Sequence, residues 1–212
     1  MKKILILSGY ACKSWIWNSI NFDHTLYEYD IIDWPRDKIS AFHSLDEYVE
    51  YLYENNLSKV DYYDSVIGHS MGGLIGLYLA AQYPDKIKKL ILVESYILSP
   101  TPFFQNLVYV NNLNTHREPI ENMLREESPY YSEKLPMQLR ALDLSDVVYN
   151  ITQDIYAFYG DRGEKDNRII KNELGWNKAL DDKINVLFIC DSCHFPMLEN
   201  SLEFNQKIIK II

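Results

Sequence analysis

Residues 68–73 read Gly68-His69-Ser70-Met71-Gly72-Gly73, and their setting decides the fold. The residues ahead of them, Tyr63-Asp64-Ser65-Val66-Ile67, have the character of a short strand. The residues behind them, Leu74 to Tyr83, form an apolar helical stretch stopped by Pro84. A strand that passes through a sharp turn into a helix, with serine at the apex, is the context the G-x-S-x-G pattern requires. The turn is tight, so the positions two before and two after the serine must be small. Gly68 and Gly72 meet that need. Such a turn lifts the hydroxyl off the sheet and aims the first N–H groups of the helix at the same spot.

The rest of the chain alternates in the same way. Lys3 to Leu7 is a continuous apolar run, the mark of a strand buried on both faces. Tyr27 to Ile32, Lys89 to Val93, Ile155 to Tyr159 and Asn185 to Ile189 read as further strands. Trp15 to Ile20 suits a short helix, Leu45 to Glu54 an amphipathic one with Leu45, Tyr48, Val49 and Leu52 on one side, and Leu202 to Ile211 a closing one. Strands alternating with helices predict an α/β protein, with a mainly parallel sheet covered by helices on both faces. Residues 99–150 break the alternation. They carry helical patches and no strand, so they are expected to form a small helical cap inserted in a single domain spanning residues 1–212.

Composition narrows the function. The chain has 212 residues, 47% hydrophobic and 24% charged, which suits a single soluble globular domain. A net charge of -9 disfavours nucleic acid and anionic membrane as main partners. Three cysteines do not suggest a disulfide framework, and Cys190 and Cys193 lack a second pair to complete a zinc site. Reduced thiols and a cytoplasmic location are expected. The apolar run Ile4–Leu7 is too short for a signal-peptide core, and no run approaches membrane-spanning length.

A serine hydroxyl needs a base. His194 follows the last predicted strand, so it falls on the same sheet edge as Ser70. His24, His43 and His116 do not follow strands, and the His69 side chain is expected to point away from the site. The base in turn needs an acid. The loop after Tyr159 offers Asp161, Glu164 and Asp166, and Glu94 ends its own strand as an outside fourth candidate. Asp166 also stands at the start of a predicted helix, where aspartate is a favoured cap.

Four stretches carry a resemblance: Leu7-Ser8-Gly9-Tyr10 with Trp15 and Trp17; Val66 to Gly73; Leu139 to Leu144 leading into Tyr156 to Gly160; and His194-Phe195-Pro196-Met197-Leu198-Glu199. Through them the chain resembles the α/β-hydrolase-fold superfamily, in the broad group that holds small carboxylesterases and the pimeloyl-carrier-protein methyl esterases. The resemblance implies a catalytic Ser70 and His194, an oxyanion hole built from the backbone N–H groups of Tyr10 and Met71, and no cofactor or metal. Its spacing from the histidine points to Asp166 as the acid, with Asp161 close behind; a three-residue insertion after Gly160 reconciles this with the usual position. Ser8 stands where the family usually has histidine, which implies tuning of the oxyanion loop.

The implied activity is hydrolysis of a small carboxylic ester or thioester, either free or linked to a carrier protein. Between residues 101 and 150 acidic residues outnumber basic ones, so the charge balance gives no support to an acidic carrier. Two alternatives share the scaffold. One is a lyase or cofactor-free enzyme using the same triad, and the other is a non-catalytic ligand-binding protein.

Overall fold

The computed structural model describes residues 1–212. Six strands form one parallel sheet: β1 (Lys2–Leu7), β2 (Tyr27–Ile32), β3 (Ser65–His69), β4 (Lys89–Val93), β5 (Asp154–Gly160) and β6 (Ile184–Ile189). Their order across the sheet is β2-β1-β3-β4-β5-β6. The predicted α/β class and parallel sheet are present. Apolar runs mark the central strands because both faces are covered: every residue of β3, and Leu90 to Val93 of β4, are buried. The edge strand β2 alternates instead, with Glu28 and Asp30 exposed. Charges on an outer strand discourage pairing with another chain.

The order places the site. From β1 the chain turns one way to build β2, then crosses back to build β3 on the other side of β1. Loops leaving β1 and β3 therefore diverge at their carboxyl ends, which opens a crevice there. Register aligns the ends: Leu7 pairs with Gly68, His69 with Val93, and Gly160 with Ile189. The residues that follow these pairs all emerge on one edge.

Helices Leu45–Asn55, Met71–Gln82, Asn167–Glu173 and Ser201–Ile208 are among those covering the sheet. The first is amphipathic as expected and buries Leu45, Tyr48, Val49 and Leu52. Ser44 and Glu47 form a capping box at its start, each satisfying an N–H that the helix leaves open. The helix Met71–Gln82 is apolar on most of its surface and accordingly almost wholly buried.

Two local expectations change. Trp15 to Ile20 does not form a helix; only Ser14–Trp17 makes a 3₁₀ turn. Its geometry is set by tertiary ties: the Ser14 N–H and hydroxyl donate to Asp33, and the buried Trp17 indole donates to Ser8 Oγ at 3.3 Å. The closing helix runs Ser201–Ile208, shorter than its apolar pattern. Residues 94–153, between β4 and β5, hold short helices and no strand; the longest is Glu118–Glu127.

Candidate active site

Ser70 sits at the turn between β3 and the helix Met71–Gln82, with φ 51° and ψ −121°. A non-glycine residue in this region is strained and persists only where its surroundings hold it. Its N–H donates to Val93 O at 2.8 Å, which extends the β3–β4 ladder one step and pins the turn. The small flanking residues are required. A Cβ on Gly72 would come within 2.5 Å of Leu7 O, and a Cβ on Gly68 would overlap the Gly73 backbone. The helix thus starts hard against β1, and the N–H of Met71, in its first turn, has no acceptor within the helix.

Ser70, His194, Tyr10 and Met71 line one cavity of about 580 Å³. Phe104, Leu124 and Leu139, from the long excursion between β4 and β5, wall its other side. The loop after β1, which carries Tyr10, is well held. Ser8 is fully buried; its carbonyl accepts from the Trp34 indole at 2.9 Å and its hydroxyl from Trp17. Two tryptophans therefore support this loop where the family resemblance places a histidine.

The loop after β6 carries His194. Glu199 accepts from the Cys193 N–H at 2.9 Å, the Phe195 N–H at 3.3 Å and, through its other oxygen, the Tyr109 N–H at 2.6 Å. The His194 N–H donates to Leu107 O at 3.1 Å. The His69 ring lies beneath this loop, fully buried, and its Nε2–H donates to His194 O at 2.8 Å. A carbonyl can only accept, so the proton is on Nε2. Burial, reinforced by the neighbouring His194, pushes the His69 pKa down to about 3 and keeps the ring neutral. His69 thus packs its ring 4.8 Å from the His194 ring and holds the backbone of that histidine.

The carboxylate facing His194 is Glu94, whose Oε2 lies 3.4 Å from His194 Nδ1. Glu94 follows β4 directly and its N–H extends the ladder to Phe158 O at 2.9 Å. Its φ of 49° then turns the side chain into the sheet edge, where it is fully buried. Burial alone would raise its pKa, but the Arg162 guanidinium and His194 hold it well below the usual carboxylate range. Oε1 accepts from the Gly160 N–H at 2.6 Å and Arg162 Nη1 at 3.0 Å; Oε2 accepts from Arg162 Nη2 at 2.6 Å and from the Tyr96 hydroxyl.

Asp166, the expected acid, does not reach His194. It is the N-cap of helix Asn167–Glu173, accepting from the Arg168 N–H at 2.9 Å and pairing with the Arg168 guanidinium at 2.7 Å. Asp161 is buried but turned to the backbone, where its Oδ1 accepts from the N–H groups of Gly163 and Asp191, both at 2.8 Å. Glu164 accepts from the Asp166 N–H. All three carboxylates build the loop, and Arg162 is the residue that enters the site from it.

A family model described as the alpha/beta hydrolase fold matches residues 22–119. A structure described as an N-acyl homoserine lactone degrading enzyme superposes with a TM-score of 0.77, covering 100% of this chain and 93% of its own at 18% identity. The chain has the α/β-hydrolase fold. A thermophilic esterase from Thermogutta terrifontis superposes with a TM-score of 0.70 at 15% identity, covering 99% of this chain and 89% of its own. Among curated sequences, 39 residues are 44% identical to the pimeloyl-[acyl-carrier protein] methyl ester esterase of Neisseria meningitidis serogroup C / serotype 2a. That match covers 18% of this chain and 15% of the relative. A mouse serine hydrolase-like protein is 37% identical over 65 residues, 30% of this chain and 19% of its own length. The matched segments thus span under a fifth of either relative.

Within this α/β-hydrolase fold, sequence reasoning ranked Glu94 last and missed Arg162, Tyr96 and Glu199. Glu94 carried one usable signal: it stands immediately after a fully apolar strand end, Leu90-Ile91-Leu92-Val93. Arg162 acts through a partner 68 positions away, and Tyr96 and Glu199 act through hydrogen bonds within their own loops that leave no distinctive sequence pattern.

Proposed function

We propose that this protein is a serine hydrolase that cleaves a carboxylic ester or thioester through an acyl-enzyme on Ser70, with His194 as base and Glu94 as acid. The observation that carries the reading is the buried Glu94 carboxylate facing His194 Nδ1, while His194 and Ser70 share one cavity. In this reading Ser70 Oγ attacks the carbonyl carbon and its proton passes to His194 Nε2. The carbonyl electron pair moves onto oxygen, where the N–H groups of Tyr10 and Met71 receive it. Each such donor contributes about 3 kcal/mol to lowering the barrier. Collapse expels the alcohol or thiol, which takes the proton from His194. Water then attacks the acyl-enzyme with His194 again as base and releases the acid. Glu94 stabilises the imidazolium formed in each half.

Residues 99–150 act as a cap. Phe104, Leu124 and Leu139 line the cavity, so its wall suits an apolar acyl group. A carrier-protein-linked ester is a second reading, favoured by Arg125 and Arg140, which are exposed at the same cavity, and by the name of the Neisseria relative. No helix is long and apolar enough to cross a membrane. The decisive experiment is a panel of p-nitrophenyl esters of rising chain length, run on wild type and Ser70→Ala beside a fluorophosphonate probe. Wild type should turn over and label, and Ser70→Ala should do neither. Labelling of Ser70→Ala at wild-type stoichiometry would sink the assignment. Comparing a free methyl ester with the same acyl group on a carrier protein separates the two substrate readings.

A further inference from the structure

Arg162 is a cation buried beside Glu94. Its side chain is 4% exposed, and both terminal nitrogens are spent on Glu94. Nη1 also donates to Gly160 O at 2.8 Å and Nη2 to the Tyr96 hydroxyl at 3.1 Å, while the buried Nε has no partner. The guanidinium carbon lies 4.7 Å from the centre of the Phe104 ring. Its backbone adopts φ 54°, a strained value for arginine. Burying a cation at a strained position is costly. This cation also sits beside the group that must stabilise an imidazolium.

We propose that Arg162 is a positioning residue for the Ser70–His194–Glu94 machinery, fixing the Glu94 carboxylate against His194 and keeping the Glu94–His194 pair from taking up an extra proton in mildly acidic solution. The inference rests on the serine-hydrolase reading. The fixing is geometric. A two-pronged guanidinium defines the plane of the carboxylate in a way a single ammonium cannot. The Gly160 N–H and Tyr96 hydroxyl complete the frame.

The proton argument depends on which charges face Glu94. They are Arg162 from the loop after β5, Tyr159 from β5, Tyr96 beyond β4, His194 and Cys193 from the loop after β6, and His69 at the end of β3. Burial pushes Tyr96 and Tyr159 well up and Cys193 up to about 12, and it leaves His69 neutral. Apart from His194 itself, Arg162 is therefore the only charged group around the carboxylate near neutral pH. When the coupled pair gains one proton, that proton belongs to the pair and not to one member. Whichever member holds it, a fixed positive charge nearby opposes its uptake. Removing the charge should raise the midpoint of that step.

The test is a ¹H–¹⁵N titration of the His194 imidazole, assigned with His194→Gln, in wild type, Arg162→Met, Arg162→Gln and Arg162→Lys. Arg162→Gln keeps a donor to Glu94 without charge and serves where Arg162→Met does not fold. Both neutral variants should titrate about one to three units higher than wild type. Arg162→Lys, which retains the charge, should stay near wild type. The acid limb of kcat/KM should move with the titration, an effect that lost stability alone does not produce. Neutral variants that titrate as wild type does overturn the inference. If wild type hydrolyses no ester while the titration moves as stated, the hydrolase reading fails and the Arg162 coupling stands.

Discussion

Glu94 and Asp166 are both carboxylates on the same sheet edge, yet their surroundings give them different work. Glu94 is fully buried, faces His194 and is clamped by Arg162. Asp166 caps a helix and pairs with an arginine two residues away. Glu94→Gln should keep the shape of the side chain but leave His194 without an anion, lowering kcat by up to about ten-thousandfold. It also strands the buried Arg162 charge, so kcat should be read well below the melting temperature, with folding confirmed by circular dichroism. Asp166→Ala should cost about 1 kcal/mol of stability and leave kcat unchanged. A kcat that collapses in Asp166→Ala and survives in Glu94→Gln would reverse the assignment. The sequence ranked these two residues in the reverse order. Glu94 is directed inward by a single left-handed φ, and its cationic partner lies 68 positions away. Neither fact leaves a mark near residue 94, whereas a carboxylate at a predicted helix start is an obvious local signal.

At the scale of elements, the strands were legible because burial on both faces demands apolar runs such as Leu90 to Val93. The strand–serine–helix turn was legible because its glycines are steric necessities. Gly72→Ala tests this directly. The new methyl would meet the carbonyl of Leu7 in a central strand that cannot retreat. A loss of about 1–3 kcal/mol is expected by chemical denaturation. Activity should fall with it, because the helix start that carries the Met71 N–H must shift. The segment between β4 and β5 was legible only as an absence of strands. Its short helices owe their places to tertiary contacts. Glu127, 6% exposed, is gripped by Arg36 at 2.5 Å and approached by Lys13 at 3.6 Å, and the Lys13 N–H contacts Met123 Sδ at 3.3 Å. These contacts tie helix Glu118–Glu127 to the loops after β1 and β2. Glu127→Ala should therefore loosen the cavity wall. A higher KM for long-chain esters than for acetate, with a stability loss of about 1–2 kcal/mol, is the expected pattern.

At the scale of the whole molecule, the buried histidine sets the response to acid. In the unfolded chain His69 titrates near its ordinary value of 6.5, and in the folded chain it stays neutral down to about 3. Between those two values the unfolded state binds the extra proton, so stability must fall as pH falls through that window. Glu94 acts the same way at lower pH. Its depressed pKa adds stability that is fully present above the ordinary carboxylate value and is lost as pH drops toward its folded one. Urea unfolding at a series of pH values from 7 to 4 should show a steady decline in midpoint. A midpoint that does not move over that range would show that His69 is not held neutral.

The strand order also sets the sequence in which the molecule can assemble. Beyond β1, the strands β3, β4, β5 and β6 each join the same growing margin of the sheet. A ribosome therefore delivers them in the order in which they dock, and domains fold as their segments emerge. Ser70 and Glu94 are in place once β4 has docked, but His194 arrives only after β6. Until then the nascent protein holds Ser70 without the His194 that the proposed mechanism requires, together with the unpaired margin of β5. Under the proposed mechanism an unfinished chain is chemically silent, and through that bare margin it is prone to associate.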